Sequence, residues 1–473
     1  MKLDFRRNVK RNMLANAWNS AARLVLPFLN RTLFLWLLGP AYLGLNGLFG
    51  SILGVLMLAE LGFGQAVVCS MYKPVADDDR EMLCAYLRFY RSVYRCVGAA
   101  IFALGLCLLP FIGRLVHGDV PADVDLRLLF LIHLVNTAAS YFLFAYRGVV
   151  LGAHHRNDVV TNIRTVVMAA QYATAFLVLW LARDYTLYVV VTVFFTLLQN
   201  LLLVKASRRL FPDIEPRGVL PDDKRRQVLS DVKSIFLHKV GGVVGHQSDN
   251  IVVSAFLGLV AVAAYGNYFY VASAVASLVA IVSSSTVAGF GNKIHTESEE
   301  STFRLFMKVN RLTLCVVAVC AACMAALYQP FMRVWTKGDP ALVRHAWTPA
   351  LMTLCFYVQQ MRSPLLAFKS GAGIWRPDRF KPIVSAVVNL CISVALIRAL
   401  PAAWKLDGVI AGTVVAYLFV EVPWEVKVVF DAHFGSACRR EYLRQMAVFA
   451  VAAFALCAAG AGASSLIEGF VSK

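Results

Sequence analysis

Charged side chains interrupt long apolar stretches of this sequence at five places. Three are arginines and two are acids: Arg23, Arg31, Arg362, Glu60 and Asp249. A charge near the centre of a lipid bilayer costs roughly 2.5 to 3.5 kcal/mol on insertion scales, so such residues usually face a wet interior rather than lipid. The arginines therefore predict a hydrated pathway, with snorkelling side chains or structural ion pairs as the alternative.

The two acids predict a different chemistry from the arginines. Glu60 has three interpretations: a proton or cation site, a partner for Arg23 or Arg31, or a carboxyl group that packs protonated within a helical bundle. Asp249 is the second candidate for a coupling cation. It lies ten residues from Lys239, about 15 Å along a helix, so the two cannot pair directly. They can serve a cation and an anionic substrate separately.

A polar stripe marks the first predicted helix. Its members are four, three, four and three residues apart, which places them on one helix face: Asn16, Ser20, Arg23, Pro27 and Asn30. A polar face returns 219 positions later, where Asn30 corresponds to Asp249 and Arg31 to Asn250. The same offset pairs Leu38-Gly39 with Leu257-Gly258.

This correspondence predicts an internal duplication. Each half would begin with a helix that carries polar groups into the bilayer, and the two polar faces would line one cavity between the halves. Beside the charged residues, the predicted polar lining of that cavity is Asn30, Lys239, His246 and Asn250.

The elements that position these residues are membrane-spanning helices. Hydrophobic residues make up 59% of the 473-residue chain, which is typical of a polytopic membrane protein. Hydrophobic runs predict thirteen spans, near residues 14–38, 42–68, 92–113, 128–146, 165–182, 186–204, 235–257, 263–290, 312–331, 347–368, 382–399, 408–426 and 445–467.

The predicted fold class is an all-α polytopic membrane protein with two pseudo-symmetric six-helix lobes around a central cavity. We place the N-terminal lobe at 1–204, a cytoplasmic connecting loop at 205–233, the C-terminal lobe at 234–426 and an additional span at 427–473. In the tenth span, Gln359, Gln360 and Arg362 precede Pro364, which predicts a broken helix or a plain proline kink. Glu421 and Glu425 are expected to be solvated or paired with Lys427 or Arg440.

Membrane topology accounts for the excess of basic residues that gives the net charge of +18. Of the 46 Lys and Arg residues, 34 fall in or beside segments predicted to be cytoplasmic, 9 fall outside and 3 lie within spans. This asymmetry follows the positive-inside rule and places the N-terminus in the cytoplasm, with a C-terminus outside. It therefore favours a cytoplasmic-membrane location without any nucleic-acid partner.

Other motifs point to no catalytic chemistry. The eleven cysteines are scattered, and Cys320 and Cys323 lie in an apolar helix without a neighbouring His, so we interpret them as packing residues rather than metal ligands. No nucleophile elbow, zinc motif or phosphate-binding loop is present. The sequence thus predicts neither an enzyme nor a cofactor or metal, and argues against a pump driven by ATP.

Several short segments resemble Wzx-type polysaccharide flippases of the multidrug/oligosaccharidyl-lipid/polysaccharide exporter superfamily. The segments similar to the first half of that family are 26–31, 42–49, 60–64 and 72–74, and those similar to the start of its second half are 249–250, 257–259 and 265–268. The resemblance implies two six-helix lobes around a cationic cavity. It also implies twelve or fourteen spans, where hydropathy predicts thirteen.

The resemblance implies transport of a polyprenyl-diphosphate-linked oligosaccharide from the cytoplasmic to the outer leaflet by alternating access, for cell-surface polysaccharide synthesis. Arg23, Arg31 and Arg362 would then hold the diphosphate, since the guanidinium fork matches phosphate oxygens. The expected partners are this substrate, membrane lipids, and a glycan polymerase or glycosyltransferases. The alternatives are a cation-coupled exporter of small molecules or drugs on the same fold, and a non-transport scaffold for glycan enzymes.

Overall fold

The computed structural model describes residues 5–60, 63–117, 120–142, 145–374 and 376–471. Within these ranges it does not describe the side chains of residues 5–10, 12–14, 17, 59, 65, 145, 231, 233–246, 282, 288, 295, 376 and 463–471. The described part consists of helices and their connecting segments and contains no β-strand. The predicted all-α polytopic fold is confirmed.

The chain divides into two compact units, residues 1–243 and 244–473. The helices that belong wholly to the first unit are α1 (Phe5–Leu38), α2 (Pro40–Leu56), α3 (Phe63–Ala76), α4 (Arg80–Leu108), α5 (Ile112–Leu115), α6 (Leu126–Phe142), α7 (Gly148–Ala153), α8 (Asn157–Leu181) and α9 (Tyr185–Leu210). A short 3₁₀ segment, Met57–Glu60, follows α2. The boundary between the units falls within α10 (Asp222–Leu257).

The second unit continues from α10 with longer helices and several interruptions. Its helices are α11 (Leu259–Thr296), α12 (Glu299–Trp335), α13 (Trp347–Gln360), α14 (Ser363–Ala372), α15 (Lys381–Ala399), α16 (Lys405–Ala416), α17 (Val422–Val429) and α18 (Gly435–Val471). Two π-helical segments, Tyr417–Glu421 and Phe430–Phe434, flank α17. The tenth predicted span is therefore broken between Gln360 and Ser363, close to Pro364, as the sequence indicated.

Each of the thirteen predicted spans overlaps one of these helices. Eight described stretches are long and apolar enough to cross a membrane, and one of them, 402–462, covers the last two predicted spans. Two shorter apolar helices, α2 and α6, coincide with the second and fourth spans. The chain is thus a multi-pass membrane protein.

Two glycines at corresponding positions of the predicted duplication have the same backbone conformation. Gly39 has φ of 97° and ψ of 177° at the start of α2, and Gly258 has φ of 89° and ψ of 175° at the start of α11. Positive φ values strongly favour glycine, because a side chain there clashes with the backbone. The same sharp corner thus joins the first two long helices of each half, at positions 219 residues apart.

The segment between α9 and α10 is folded against the first unit. Arg147 is completely buried, donates to the carbonyl oxygen of Ile214 at 3.3 Å and forms an ion pair with Glu215. Arg80 donates to Asp213 at 2.7 Å. Since α10 begins at Asp222, the irregular part of the predicted connecting loop is limited to residues 211–221, and side chains of the first unit fix its course.

Candidate functional sites

The polar stripe of α1 turns partly toward α8 and α9. Asn30 is half-buried and donates its amide to the hydroxyl of Tyr188 at 2.9 Å. About three helical turns earlier, Asn19, which precedes the stripe residue Ser20, donates to Thr165 at 2.6 Å. Arg23 is exposed between them, and Arg31 is half-buried. These contacts explain part of the stripe as packing of α1 against its neighbours, while Arg23 remains accessible.

A second exposed arginine, Arg164 of α8, lies near Arg23. The two guanidinium groups are within electrostatic range of each other, and Arg164 is also within range of Glu60. From the sequence, Arg164 is one of the 34 Lys and Arg residues placed in or beside the cytoplasmic segments, and it is not among the predicted site residues. The signal was available, because Thr161, Arg164 and Thr165 share one helix face with the spacing that had identified the stripe on α1.

Glu60 is held by tyrosines. It ends the 3₁₀ segment after α2, is half-buried, and accepts hydrogen bonds from the hydroxyls of Tyr94 and Tyr141. These hydrogen bonds fix its position. The three interpretations of Glu60, as a cation or proton site, as a partner for Arg23 or Arg31, or as a protonated carboxyl group within the bundle, stay predictions.

Asp249 is the centre of a buried group of oxygen atoms in the second unit. The residue is only 4% exposed and accepts hydrogen bonds from the hydroxyl of Tyr265 at 2.9 Å, the amide of Asn389 at 3.0 Å and the hydroxyl of Thr413 at 3.1 Å. The hydroxyl of Ser393 adds a bond to the Asn389 side-chain oxygen at 3.1 Å. We call these five residues the oxygen cluster.

The oxygen cluster draws its members from α10, α11, α15 and α16. Carboxylate, amide and hydroxyl oxygens are the groups that hard cations prefer in proteins, and a carboxylate supplies the one negative charge that a monovalent cation needs. The hydrogen bonds that Asp249 accepts from these described residues all come from neutral hydroxyl and amide groups. The arrangement can therefore bind a small cation. Among the described residues there is no group of three or more His, Cys, Asp or Glu side chains suited to a metal ion.

Three other residues of α10 were predicted to line the cavity: Asn250, Lys239 and His246. Asn250 is half-buried beside Asp249. The side chains of Lys239 and His246 lie outside the part of the chain that the structure describes. The predicted roles of these three residues, like those of the other site residues, stay predictions.

Arg362 is enclosed by carboxylates. It is 5% exposed, and it forms a forked pair with Glu425, from Nε at 2.9 Å and from Nη2 at 2.7 Å. Its Nη2 also bonds Glu421. In this conformation the guanidinium is occupied by protein groups, which argues against its predicted role in binding a diphosphate.

Arg362 belongs to a larger group of buried charges in the second unit. Three cations and three anions take part, and we call them the ionic cluster: Arg362, Lys369, Lys381, Asp378, Glu421 and Glu425. Lys381 pairs with Glu425 and lies 3.4 Å from Glu421, while Lys369 pairs with Asp378. The expectation that Glu421 and Glu425 are solvated or paired with Lys427 or Arg440 is wrong, because both acids pair with Arg362 and Lys381 instead.

The comparisons with known structures establish the fold. A multidrug resistance MATE family transporter of the MOP superfamily, in an inward-facing conformation, is similar with a TM-score of 0.65 and 16% identity, over 86% of this chain and 94% of that one. The lipid II flippase MurJ in an inward closed conformation is similar with a TM-score of 0.61 and 13% identity, over 97% and 98% of the two chains. At these identities the likeness concerns the fold.

The sequence comparison identifies the family. No curated protein matches the chain. Residues 9–288, more than half of the chain, match the family described as polysaccharide biosynthesis protein. The resemblance found in the short segments of both halves is thus confirmed at the level of the family, and the chain belongs to the polysaccharide biosynthesis protein family.

Proposed function

We propose that this protein is a flippase that moves a polyprenyl-diphosphate-linked oligosaccharide from the cytoplasmic to the outer leaflet of the cytoplasmic membrane by alternating access. The observation that carries the proposal is the pair of exposed arginines, Arg23 and Arg164, on neighbouring helices of an apolar unit. Two like charges within electrostatic range repel each other, and charged groups are costly to keep in a membrane protein. A bound diphosphate removes that repulsion.

The chemistry of the arginine side chain supports this substrate class. A guanidinium group presents paired donors that match phosphate oxygens and keeps its charge at any physiological pH. Arg31, half-buried on the same helix as Arg23, completes the proposed diphosphate site. Arg362 is left out, because Glu421 and Glu425 already occupy its donors.

We assign the coupling cation to Asp249. A buried carboxylate among hydroxyl and amide groups is suited to a proton or to Na⁺, and the oxygen cluster holds no phosphate-binding cation of its own. Glu60, with its two tyrosine partners, is the second candidate. Membrane lipids surround the protein in this proposal, and a glycan polymerase or glycosyltransferases act before or after it.

The test is transport by purified protein in liposomes that contain a fluorescent polyprenyl-diphosphate oligosaccharide. Arg23→Gln and Arg164→Gln are each expected to slow translocation at least about tenfold, which corresponds to ~1.4 kcal/mol of lost substrate or transition-state binding. The matched control is Arg127→Gln, an exposed arginine near the start of α6, which should transport at the rate of the parent protein.

The same experiment separates the alternative functions. Export of small cationic drugs, with the lipid-linked oligosaccharide left in its original leaflet, would favour an exporter on this fold. A protein that moves neither substrate, yet is required for glycan synthesis in cells, would favour a scaffold. Equal rates for Arg164→Gln and Arg127→Gln would remove the arginine pair from the mechanism.

A further inference from the structure

Two helices of the second unit face each other with polar residues at every fourth position. On α15 these residues are Lys381, Ser385, Asn389 and Ser393, which are 4%, 5%, 4% and 1% exposed. On α16, α17 and the π-helical segment between them they are Thr413, Tyr417, Glu421 and Glu425. Four-residue spacing places each set on one helix face. Buried polar groups destabilise a fold unless they are hydrogen-bonded, so two such faces need an explanation.

Side-chain contacts join the two faces over most of their length. The hydroxyl oxygen of Thr413 lies 3.4 Å from the side-chain oxygen of Asn389, Ser385 donates to Glu421 at 2.7 Å, and Lys381 pairs with Glu425. Near the oxygen cluster the helices approach so closely that a Cβ atom on Gly412 would lie 2.4 Å from the hydroxyl of Ser393. We call the eight residues of the two faces the polar seam. It connects the oxygen cluster with the ionic cluster.

Tyr417 bridges the interval between the clusters. It lies one turn, about 6 Å, beyond Thr413. It is within electrostatic range of Asp249, of Glu421 and of Arg362, whose guanidinium carbon is 5.1 Å from the tyrosine ring centre. The segment 417–421 is π-helical, and such single-turn bulges are frequent at functional sites. The seam is therefore continuous in polar groups from Asp249 to the start of α15.

We propose that the polar seam is the route by which the coupling cation travels between Asp249 and the start of α15 at Lys381, which the predicted topology places at the cytoplasm. This inference rests on the proposed role of Asp249. The cation is a small monovalent one, Na⁺ or a proton. Its intermediate station is Glu421, whose side chain is 13% exposed, compared with 1% for Glu425 and 0% for Asp378.

The ionic cluster explains why the carboxylates along this route are not left unpaired when no coupling cation is bound. Its three carboxylates are balanced by three tethered cations, so no negative charge is left unpaired. Lys381 is the movable one, because lysine carries a point charge on a flexible stem, whereas Arg362 is held in a rigid forked pair. An arriving cation replaces the Lys381 ammonium at Glu421 and Glu425, and the number of paired carboxylates is unchanged.

The route predicts opposite effects for two substitutions. In Glu421→Gln the station loses its charge, and cation exchange at Asp249 should slow at least about tenfold, equivalent to ~1.4 kcal/mol in the barrier. In Lys381→Met the tethered competitor is gone, and exchange should become faster by a similar factor. The equilibrium affinity for the cation should change less than about twofold in both variants, since neither residue belongs to the oxygen cluster.

The measurement is the release rate of radioactive Na⁺ from the purified full-length protein after dilution, with a second series that follows proton exchange in sodium-free buffer. The two series distinguish the two cations. Tyr357→Phe is the matched control, because its hydroxyl is buried on α13 and has no hydrogen-bond partner among the described residues. Tyr417→Phe, which should slow exchange, serves as a second seam variant if Glu421→Gln does not fold.

Each outcome has a definite meaning. Rates that change in opposite directions for Glu421→Gln and Lys381→Met support the route, because a merely structural role would impair both proteins alike. Unchanged rates in Glu421→Gln and Tyr417→Phe overturn it, even if Asp249 binds the cation. Cation binding that survives Asp249→Asn overturns the proposed coupling site and the route together.

Discussion

The residue that most directly links structure to the proposed coupling is Asp249. Its carboxylate is removed from solvent by α11, α15 and α16, and neutral donors surround it. Among the described side chains no cation pairs with it, and a buried carboxylate in such surroundings is unfavourable, because desolvation penalises its charge. The site thus has a free-energy reason to bind a cation from solution, which a carboxylate in a tight ion pair would lack.

Asp249→Asn should therefore separate transport from its driving ion. We expect the stimulation of transport by a cation gradient to fall at least about tenfold, while the midpoint of thermal unfolding stays the same or rises because a buried charge is removed. The control is Asp407→Asn in the same unit, a buried carboxylate that accepts from Thr348 at 2.6 Å and pairs with His345. If both variants keep the cation dependence, Asp249 is not the coupling residue.

Arg362 should matter for stability rather than for phosphate binding. Arg362→Met leaves Glu421 and Glu425 without their main partner, and breaking a buried ion pair from one side typically costs about 3–5 kcal/mol. Chemical unfolding of the purified protein measures this. Arg439→Met, which removes an exposed pair with Asp431, should cost at most about 1 kcal/mol. A stable Arg362→Met protein with weakened substrate binding would restore the predicted diphosphate role.

At this scale the sequence revealed which residues are chemically unusual but not which partners they meet. The apolar context singled out Arg362 and Asp249 without any structure. Their partners Glu425 and Asn389 are 63 and 140 residues away, and no local pattern specifies such pairings. The spacing on α8 could have marked Arg164 as a polar-face residue, but only the packing of α8 beside α1 brings it to Arg23.

At the scale of elements, the interruptions of helices are as informative as the helices. α13 and α14 are separated at Arg362, and π-helical turns flank α17, so both discontinuities adjoin the ionic cluster. Proline at 364 made the first break predictable from sequence. The π-helical turns were not predictable, because they depend on how Glu421 and Glu425 reach α14 and α15. Hydropathy did locate every long helix, since length and apolarity are local properties.

The repeated glycine corner can be tested by substitution in both halves. Gly39→Ala and Gly258→Ala force a Cβ atom into a backbone conformation that costs of order 1–3 kcal/mol for residues other than glycine. The two variants should lower the free energy of unfolding by similar amounts. Gly50→Ala, in the interior of α2 where a Cβ atom meets nothing within 4 Å, should be neutral or stabilising. A large difference between Gly39→Ala and Gly258→Ala would argue against equivalent corners.

At the scale of the whole molecule, the number of membrane crossings follows from the direction of α18. This helix packs along α12, where Asn310 donates to Gln445 at 2.9 Å, and a Cβ atom on Gly460 would lie 2.7 Å from the carbonyl oxygen of Ala322. Both residue numbers increase between the two contacts, so α12 and α18 run parallel. Parallel helices cross a membrane in the same direction, which requires three further crossings, or another odd number, between them.

This parallel packing predicts that the two ends of the chain lie on opposite sides of the membrane. α12 is the ninth predicted span and α18 the thirteenth, so both begin at the cytoplasm if the N-terminus is inside. An alkaline phosphatase fused after the last residue should therefore be active outside the membrane. The same enzyme fused after Phe434, directly before α18, should stay inactive in the cytoplasm. Equal activity of the two fusions would mean that α18 does not cross, and the chain would then have twelve spans, one of the two numbers that the family resemblance implied.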